Sequence, residues 1–310
     1  MNLYHAAVFN NGFKPGGTTY DKLNETEQEI MRNIPNILDS YHYVHSQRQI
    51  DFIRANEGKI FLDSGAFSAW STGVEIDIDK YCDYVIQNRD IIREEDGVLM
   101  ASVLDGIGDP QKTLDNQFYM EHRGAKPLPC FHFGEPDKFL HHYLANYEYI
   151  TLGGMVGRSA QELIIWLDRI WNDILTDGAG NARIKVHAFG ITSERIMERY
   201  PWFSVDSSSW IQYSVFGHIF TSDWGVMPVS EKSPRKHDSG QHISNYSEVE
   251  RQAIHKMLED SGFNEERLST VYESRAAFNC KSFIDLNIKI NDYIAPTNGA
   301  KDFMGVQTLF

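Results

Sequence analysis

Three acids and one histidine stand where a short apolar run stops and small residues begin. In Phe203-Ser204-Val205-Asp206-Ser207-Ser208-Ser209-Trp210, Phe203 and Val205 read as a buried strand, and the serines after Asp206 lack the bulk to continue it. Asp206 is then expected at the carboxyl end of a strand, facing a cavity, where parallel barrels commonly keep functional acids. The competing reading makes Asp206 the cap of the next helix, with Ser207 to Ser209 as its turn. Asp63 closes residues 59–63 in the same way, ahead of Ser64-Gly65-Ala66-Phe67, and Asp105 closes residues 98–104 ahead of Gly106. Residues 128–133 deliver His132 before Gly134, and residues 149–152 end at Gly153-Gly154-Met155.

These types suggest recognition of a flat, polar ring. A carboxylate such as Asp105 can accept from two adjacent donors, as the N1 and exocyclic amino groups of guanine present; the alternative is that it caps the loop before Asp109-Pro110. Two successive glycines at a strand end let a planar ligand touch the backbone, although a plain tight turn uses them equally well. Phe67 and Phe189, each at or just past a strand end, could sandwich a ring, or be ordinary core.

Such residues work together only if the fold gathers them. Residues 3–9, 59–63, 98–104, 128–133, 149–152, 184–189, 203–206 and 218–222 read as short apolar strands. Between them, helical patterns run over 25–34, 46–55, 78–92, 110–122, 136–147, 161–175 and 193–200, with Asp109 as cap and Pro110 in the first turn. Strand and helix alternate, which predicts a parallel sheet and a (β/α)8 TIM barrel over residues 1–228. A barrel brings its strand ends to one mouth, so Asp63, Asp105, His132, Gly153, Gly154 and Asp206 are expected to line one pocket. From about residue 230 the chain turns polar. A mobile loop over 230–244 and helices over 247–261 and 265–290 are expected, as a helical C-terminal extension (229–310) packed on the barrel.

Composition narrows the classes. A formal charge of -14 argues against broad attraction to a phosphate backbone, yet allows a local basic face built from Arg158, Arg195, Lys232, Arg235 and Lys236. Cys82, Cys130 and Cys280 make no Cys-x-x-Cys pair and are expected to be reduced and buried. No His-x-His marks the first strand and no carboxylate and histidine cluster has metal-ligand spacing, so no metal, zinc included, is expected. A Walker loop and a Gly-x-Gly-x-x-Gly turn are missing as well, so no nucleotide cofactor is expected. No apolar run reaches membrane length, and the amino end lacks the pattern of a secretion signal, which makes the cytoplasm the expected location.

Asp63-Ser64-Gly65-Ala66-Phe67, Leu152-Gly153-Gly154-Met155-Val156-Gly157, His187-Ala188-Phe189-Gly190 and the Asp206 strand, in that order, resemble the tRNA-guanine transglycosylases. The resemblance is greatest to the short phage-type DNA-guanine transglycosylases, and covers about residues 59–210. It implies that Asp206 is the nucleophile on the sugar anomeric carbon and Asp63 the acid/base for the base protons. It further implies that Phe67 and Phe189 stack on the base, that Gly153, Gly154 and Met155 contact it, and that Asp105 reads its Watson-Crick edge. His132 falls near a family glutamine that touches the base oxygen. The Cys-x-Cys-x-x-Cys zinc motif of the tRNA enzymes has no match from Trp210 onward, and the first motif reads Gly-Ala where those enzymes usually have Gly-Gly. The expected reaction is replacement of guanine in DNA by a free 7-deazaguanine base without cofactor. A tRNA enzyme with another carboxyl-terminal module, a noncatalytic binding subunit and a nucleoside hydrolase are the alternatives.

Overall fold

A computed structural model describes residues 1–237 and 242–294. The strands, in chain order, are β1 (Asn2–Ala6), β2 (Ile37–Ser40), β3 (Ile60–Asp63), β4 (Glu94–Glu95), β5 (Val98–Leu99), β6 (Cys130–His132), β7 (Tyr149–Gly153), β8 (Lys185–Ala188), β9 (Ser204–Ser207), β10 (His218–Thr221) and β11 (Gly225–Pro228). Seven of them form one curled sheet in the order β3-β2-β1-β9-β8-β7-β6. Every pairing in it is parallel. Parallel strands point the same way, so their carboxyl ends share one edge of the sheet. The register sets Ser40 beside Asp63, Tyr4 beside Asp206 and His132 beside Gly153.

The chain also runs beside both outer strands of this sheet. Leu62 pairs with Ala101 and Ser102 with Leu128, both in parallel sense. Ser102 N donates to Leu62 O at 2.9 Å and Leu128 N to Ala101 O at 2.7 Å, so one short segment gives ladder bonds in both directions. Tyr4, Ala6, Leu38, Phe61, Met100, Leu128 and Tyr149 pack into one buried cluster, drawn from β1, β2, β3, β7 and these two bridging segments. Fully burying side chains of this size contributes about 1.5–3 kcal/mol each. The strands carry apolar residues on both faces, as expected where helices cover a parallel sheet.

Several helices are fixed by local chemistry. Asp109 accepts from Lys112 N at 3.0 Å and Pro110 occupies the first turn of Pro110–Arg123, the start expected from the sequence. Ser159 and Glu162 form a reciprocal capping box for Ala160–Ile170, which passes into a π-helical turn over Trp171–Leu175.

The chain divides into two compact units: Met1–Asn10 with Asn36–Ser207 and the chain from Lys289, and Asn11–Pro35 with Ser208–Ile288. The sheet belongs to the first. In the second, Arg267 clasps the buried Glu27 through two bonds of 2.7 Å, and Asn279 ties Trp210 O, Ser214 Oγ and His218 O to one amide nitrogen. Lys14 donates to Met31 O at 2.6 Å and Arg32 O at 3.0 Å, and burial lowers its pKa to about 8.

Four expectations change. The run at 218–222 is not a sheet strand; it folds back as β10 on β11 in an antiparallel pair within the second unit, where its ladder bonds are met locally. The strand it was expected to supply is β2, which the sequence reading passed over. Residues 98–104 form only the brief β5, paired antiparallel with β4, followed by the bridging segment. The division after Ser207 precedes the expected boundary at 228. The helix expected over 265–290 is two, Glu265–Thr270 and Tyr272–Ile294, parted at Val271. Of the expected mobile loop, residues 238–241 lie outside the described residues, as do 295–310 of the extension. No helix among the described residues is long and apolar enough to cross a membrane.

Candidate active site

The carboxyl edge of the sheet gathers the acids in the first unit. Asp63 ends β3, where its Oδ2 accepts from Gly65 N at 3.0 Å and its Oδ1 from Ser102 Oγ at 3.4 Å. Burial pushes its carboxyl up to about 7, and the charges of Asp105 and then Asp206 add to the rise. Asp63 therefore feels both other acids, which places the three in one electrostatic neighbourhood. Gly65 turns the chain sharply away with φ +76; a Cβ there would lie 2.2 Å from Ser40 Oγ and 2.6 Å from His42 Cβ.

Asp206 lies within β9 and is 7% exposed. Its Oδ1 accepts from Gly190 N at 2.9 Å, while the next helix, Ser209–Val215, starts without a side-chain cap. The helix-cap reading of Asp206 is thus not what the backbone uses. His187 Nε2 stands 3.4 Å from the same oxygen, long for a hydrogen bond. His187 Nδ1 meets Ser204 Oγ at 2.7 Å, and Ser204 Oγ meets Tyr149 OH at 2.7 Å. Burial lowers the His187 pKa against a smaller upward pull from Asp206, so the imidazole is neutral. Tyr149, Ser204 and His187 together form a rigid polar line behind Asp206.

A second cluster surrounds His132. Its Nδ1 is 2.9 Å from Glu135 Oε1, its Nε2 is 3.3 Å from Asp105 Oδ2, and Cys130 Sγ is 3.5 Å from Nε2. Burial works against the imidazolium, but the Asp105 carboxyl beside it opposes burial and the shift is upward. Burial pushes the Cys130 thiol up to about 11, with Asp105 adding to the rise. Asp105 Oδ1 is buried without a hydrogen-bond partner. Asp105, Cys130 and His132 each bring one ligand-type atom within 4.8 Å of the others, the one such trio with metal-holding potential found among the described residues. Sequence spacing hid this set, because Asp105 follows the bridging segment at Ala101 and Ser102, far from β6 in the chain.

The glycine pair acquires a packing reason. A Cβ on Gly153 would lie 2.8 Å from His132 Cδ2 and 3.1 Å from Cys130 Sγ, so its missing side chain makes room for that cluster. Gly154 has φ +71 and its absent Cβ would meet Phe133 N at 3.1 Å. Met155 is buried at 2% exposure. Phe189 is half-buried against Phe61 and His187, with ring centroids at 5.7 and 4.7 Å, whereas Phe67 is 56% exposed and faces Trp70 at 6.1 Å. The two rings thus lean on different neighbours. Arg158 and Arg195 are exposed in the first unit, Arg158 lying over the Phe133 ring at 4.7 Å. Lys232 and Arg235 are exposed and Lys236 half-buried in the second unit.

The chain matches no protein-family model, and no curated protein matches it. The chemistry must then be read from the groups themselves.

Two carboxyls at one sheet edge stand in different surroundings: Asp63 holds its proton up to about pH 7, and Asp206 accepts a backbone N–H beside a neutral imidazole. The sequence reading gave no role in the site to His187, Ser102, Cys130 or Glu135. Cys130 and His132 could have been paired from sequence, because residues two apart on a strand share a face; so could His187 and Phe189.

Proposed function

We propose that the protein is a guanine transglycosylase that replaces guanine in a polynucleotide by a free 7-deazaguanine base, through a covalent link between Asp206 and the sugar. The observation that carries this reading is the placing of Asp63 and Asp206 on two strands of one parallel sheet, with the Asp63 carboxyl pushed up to about 7 by burial first and then by the charges of Asp105 and Asp206. The four motifs that resemble the guanine transglycosylases, and above all the phage-type DNA enzymes, support the same assignment. The reading takes the sheet as part of a closed (β/α)8 barrel, with residues 100–103 as the eighth stave; their bonds to Leu62 and Leu128 favour this closure.

A carboxylate oxygen of Asp206 attacks C1′ of the target nucleotide and the C1′–N9 bond breaks, leaving its electron pair on the guanine, which takes the Asp63 proton. The 7-deazaguanine then loses its N9 proton to the Asp63 carboxylate and attacks C1′, and Asp206 leaves. No metal or nucleotide energy is consumed in this balance. Gly190 N holds the nucleophile in place, with His187 packed beside it. Asp105, with its unpartnered Oδ1, and His132 face the base edge, Gly153, Gly154 and Met155 border it, and Phe67 and Phe189 offer faces for stacking. Extracting guanine from its stack costs a few kcal/mol, which such a pocket must return. DNA is preferred over tRNA as the polymer, since nothing after Trp210 matches the zinc motif of the tRNA enzymes.

Labelled guanine incubated with the protein and separately with DNA and tRNA tests this. Incorporation into DNA is expected. Incorporation into tRNA alone reassigns the polymer, and incorporation into neither, with binding retained, leaves a noncatalytic binding protein.

A further inference from the structure

Beyond base exchange, and sharing Asp105 and His132 with the base-edge contacts of that reading, we infer that Asp105, Cys130 and His132 form a three-ligand site for a divalent cation of borderline softness, zinc being the natural occupant and cobalt the natural probe. Thiolate, imidazole and carboxylate are the ligand types that such an ion takes. With a metal bonded at about 2.3 Å to sulfur and about 2.0–2.1 Å to nitrogen and oxygen, tetrahedral geometry separates S from N by about 3.5 Å and N from O by about 3.3 Å. Cys130 Sγ is 3.5 Å from His132 Nε2, and Asp105 Oδ2 is 3.3 Å from it. Two edges of the triangle, those that meet at His132 Nε2, therefore already match a coordination tetrahedron, and all three ligand atoms lie within 4.8 Å of one another.

The surroundings fit the same purpose. Glu135 takes His132 at two points: Oε1 meets Nδ1 at 2.9 Å and Oε2 accepts from the backbone N at 3.0 Å. A carboxylate on the far nitrogen is the usual partner of a metal-bound histidine, because it fixes the tautomer that presents the other nitrogen to the metal. Cys130 and His132, two apart on β6, project from one face, and Gly153 leaves the space that both side chains fill. Asp105 Oδ1 is buried without a partner, so this carboxylate is not satisfied by the protein alone. With three protein ligands, a fourth position stays open to water or substrate, as in catalytic rather than structural zinc sites. The spacing rules that excluded zinc from the sequence apply to ligands close in the chain; here Asp105 follows the bridging segment and the pair on β6 lies 25 residues or more further on.

The rival explanation is a salt bridge, with a doubly protonated His132 held between Asp105 and Glu135. Cobalt distinguishes the two without any activity measurement. Full-length protein, freed of tag and metal, is titrated with Co2+. The expected result is saturable binding of one ion per chain, tetrahedral d–d bands and a sulfur-to-cobalt charge-transfer band, with competition by Zn2+. The chain has three cysteines, so a Cys82→Ala/Cys280→Ala variant that keeps the band assigns it to Cys130 without altering the site. Cys130→Ala should lose the band, and Glu135→Gln should keep it while binding weakens about 10- to 100-fold, the usual effect of losing such a partner. No saturable cobalt binding, or a thiolate band that survives Cys130→Ala, overturns the site. Cobalt binding by a protein that exchanges no guanine would overturn the proposed function and leave the metal site standing; guanine exchange without cobalt binding would do the reverse.

Discussion

Asp63 and Asp206 carry different burdens, and removing them should have different consequences. Asp206→Asn should abolish base exchange, because no other carboxylate is offered as nucleophile. Asp63→Asn should leave polynucleotide binding intact while turnover falls by about two to four orders of magnitude, the usual worth of general acid/base help. The pH profile follows from the Asp63 carboxyl, pushed up to about 7. The acid form that donates to the departing guanine predominates below that value, so kcat/KM for the polynucleotide should fall as pH rises through about 7. Ser102 donates to the Asp63 carboxylate and favours the ionised form. Ser102→Ala should consequently move that limb to higher pH; a limb that shifts downward, or no limb near neutrality, would count against Asp63 as the proton handler.

The strand ends were readable because each apolar run stops abruptly at an acid, a histidine or a glycine pair, and β3, β6, β7 and β9 all place those residues at one edge. β2 was not readable: Ile37–Ser40 is too short to show alternation, lies directly after Pro35-Asn36 and runs straight into the helix Tyr41–Val44. β10 was readable as a strand but not as to its partner, since an apolar run looks the same beside a distant parallel neighbour or a nearby antiparallel one. The tight turn before Gly225, which has φ +69, decides for the hairpin. His187 and Glu135 escaped because their roles depend on contacts with other elements. Glycine substitutions check these local placements. Gly65→Ala combines positive φ with a Cβ 2.2 Å from Ser40 Oγ, whereas Gly73→Ala has φ +71 with nothing within 4 Å. Left-handed strain costs about 1–2 kcal/mol in both, and overpacking should cost Gly65→Ala a further 1–3 kcal/mol or so. Denaturant unfolding should therefore rank Gly65→Ala well below Gly73→Ala; equal losses would mean that the turn after β3 is not packed as described.

Over the whole chain, charge and protonation set the response to solution conditions. Asp39 accepts from Phe9 N at 2.9 Å and Asn10 N at 3.2 Å, yet burial still pushes its carboxyl up from 3.8 to about 7, as happens at Asp63. Between these values the folded chain binds more protons than the unfolded one. The stabilisation is complete below 3.8 and is lost as pH rises through about 7. Asp39→Asn should flatten the decline in unfolding free energy over that window, and an unchanged slope would show that Asp39 ionises freely in the fold. With a formal charge of -14, the chain can hold a phosphate backbone only through a few cations. Binding of polynucleotide should weaken with salt at roughly 0.9 logarithmic units per phosphate contact. Replacing whichever of Arg158, Arg195, Lys232, Arg235 and Lys236 touches a phosphate should make that slope shallower by about one contact, and a salt-independent affinity would remove nucleic acid from the list of partners.

The covalent step is open to direct observation. Protein incubated with guanine-containing DNA without any incoming base, then denatured and digested, should yield a sugar-linked peptide carrying Asp206, and Asp206→Asn should yield none. An adduct mapped to Asp63 or Asp105, or base exchange at a normal rate by Asp206→Asn, would contradict the assignment of Asp206 as the nucleophile.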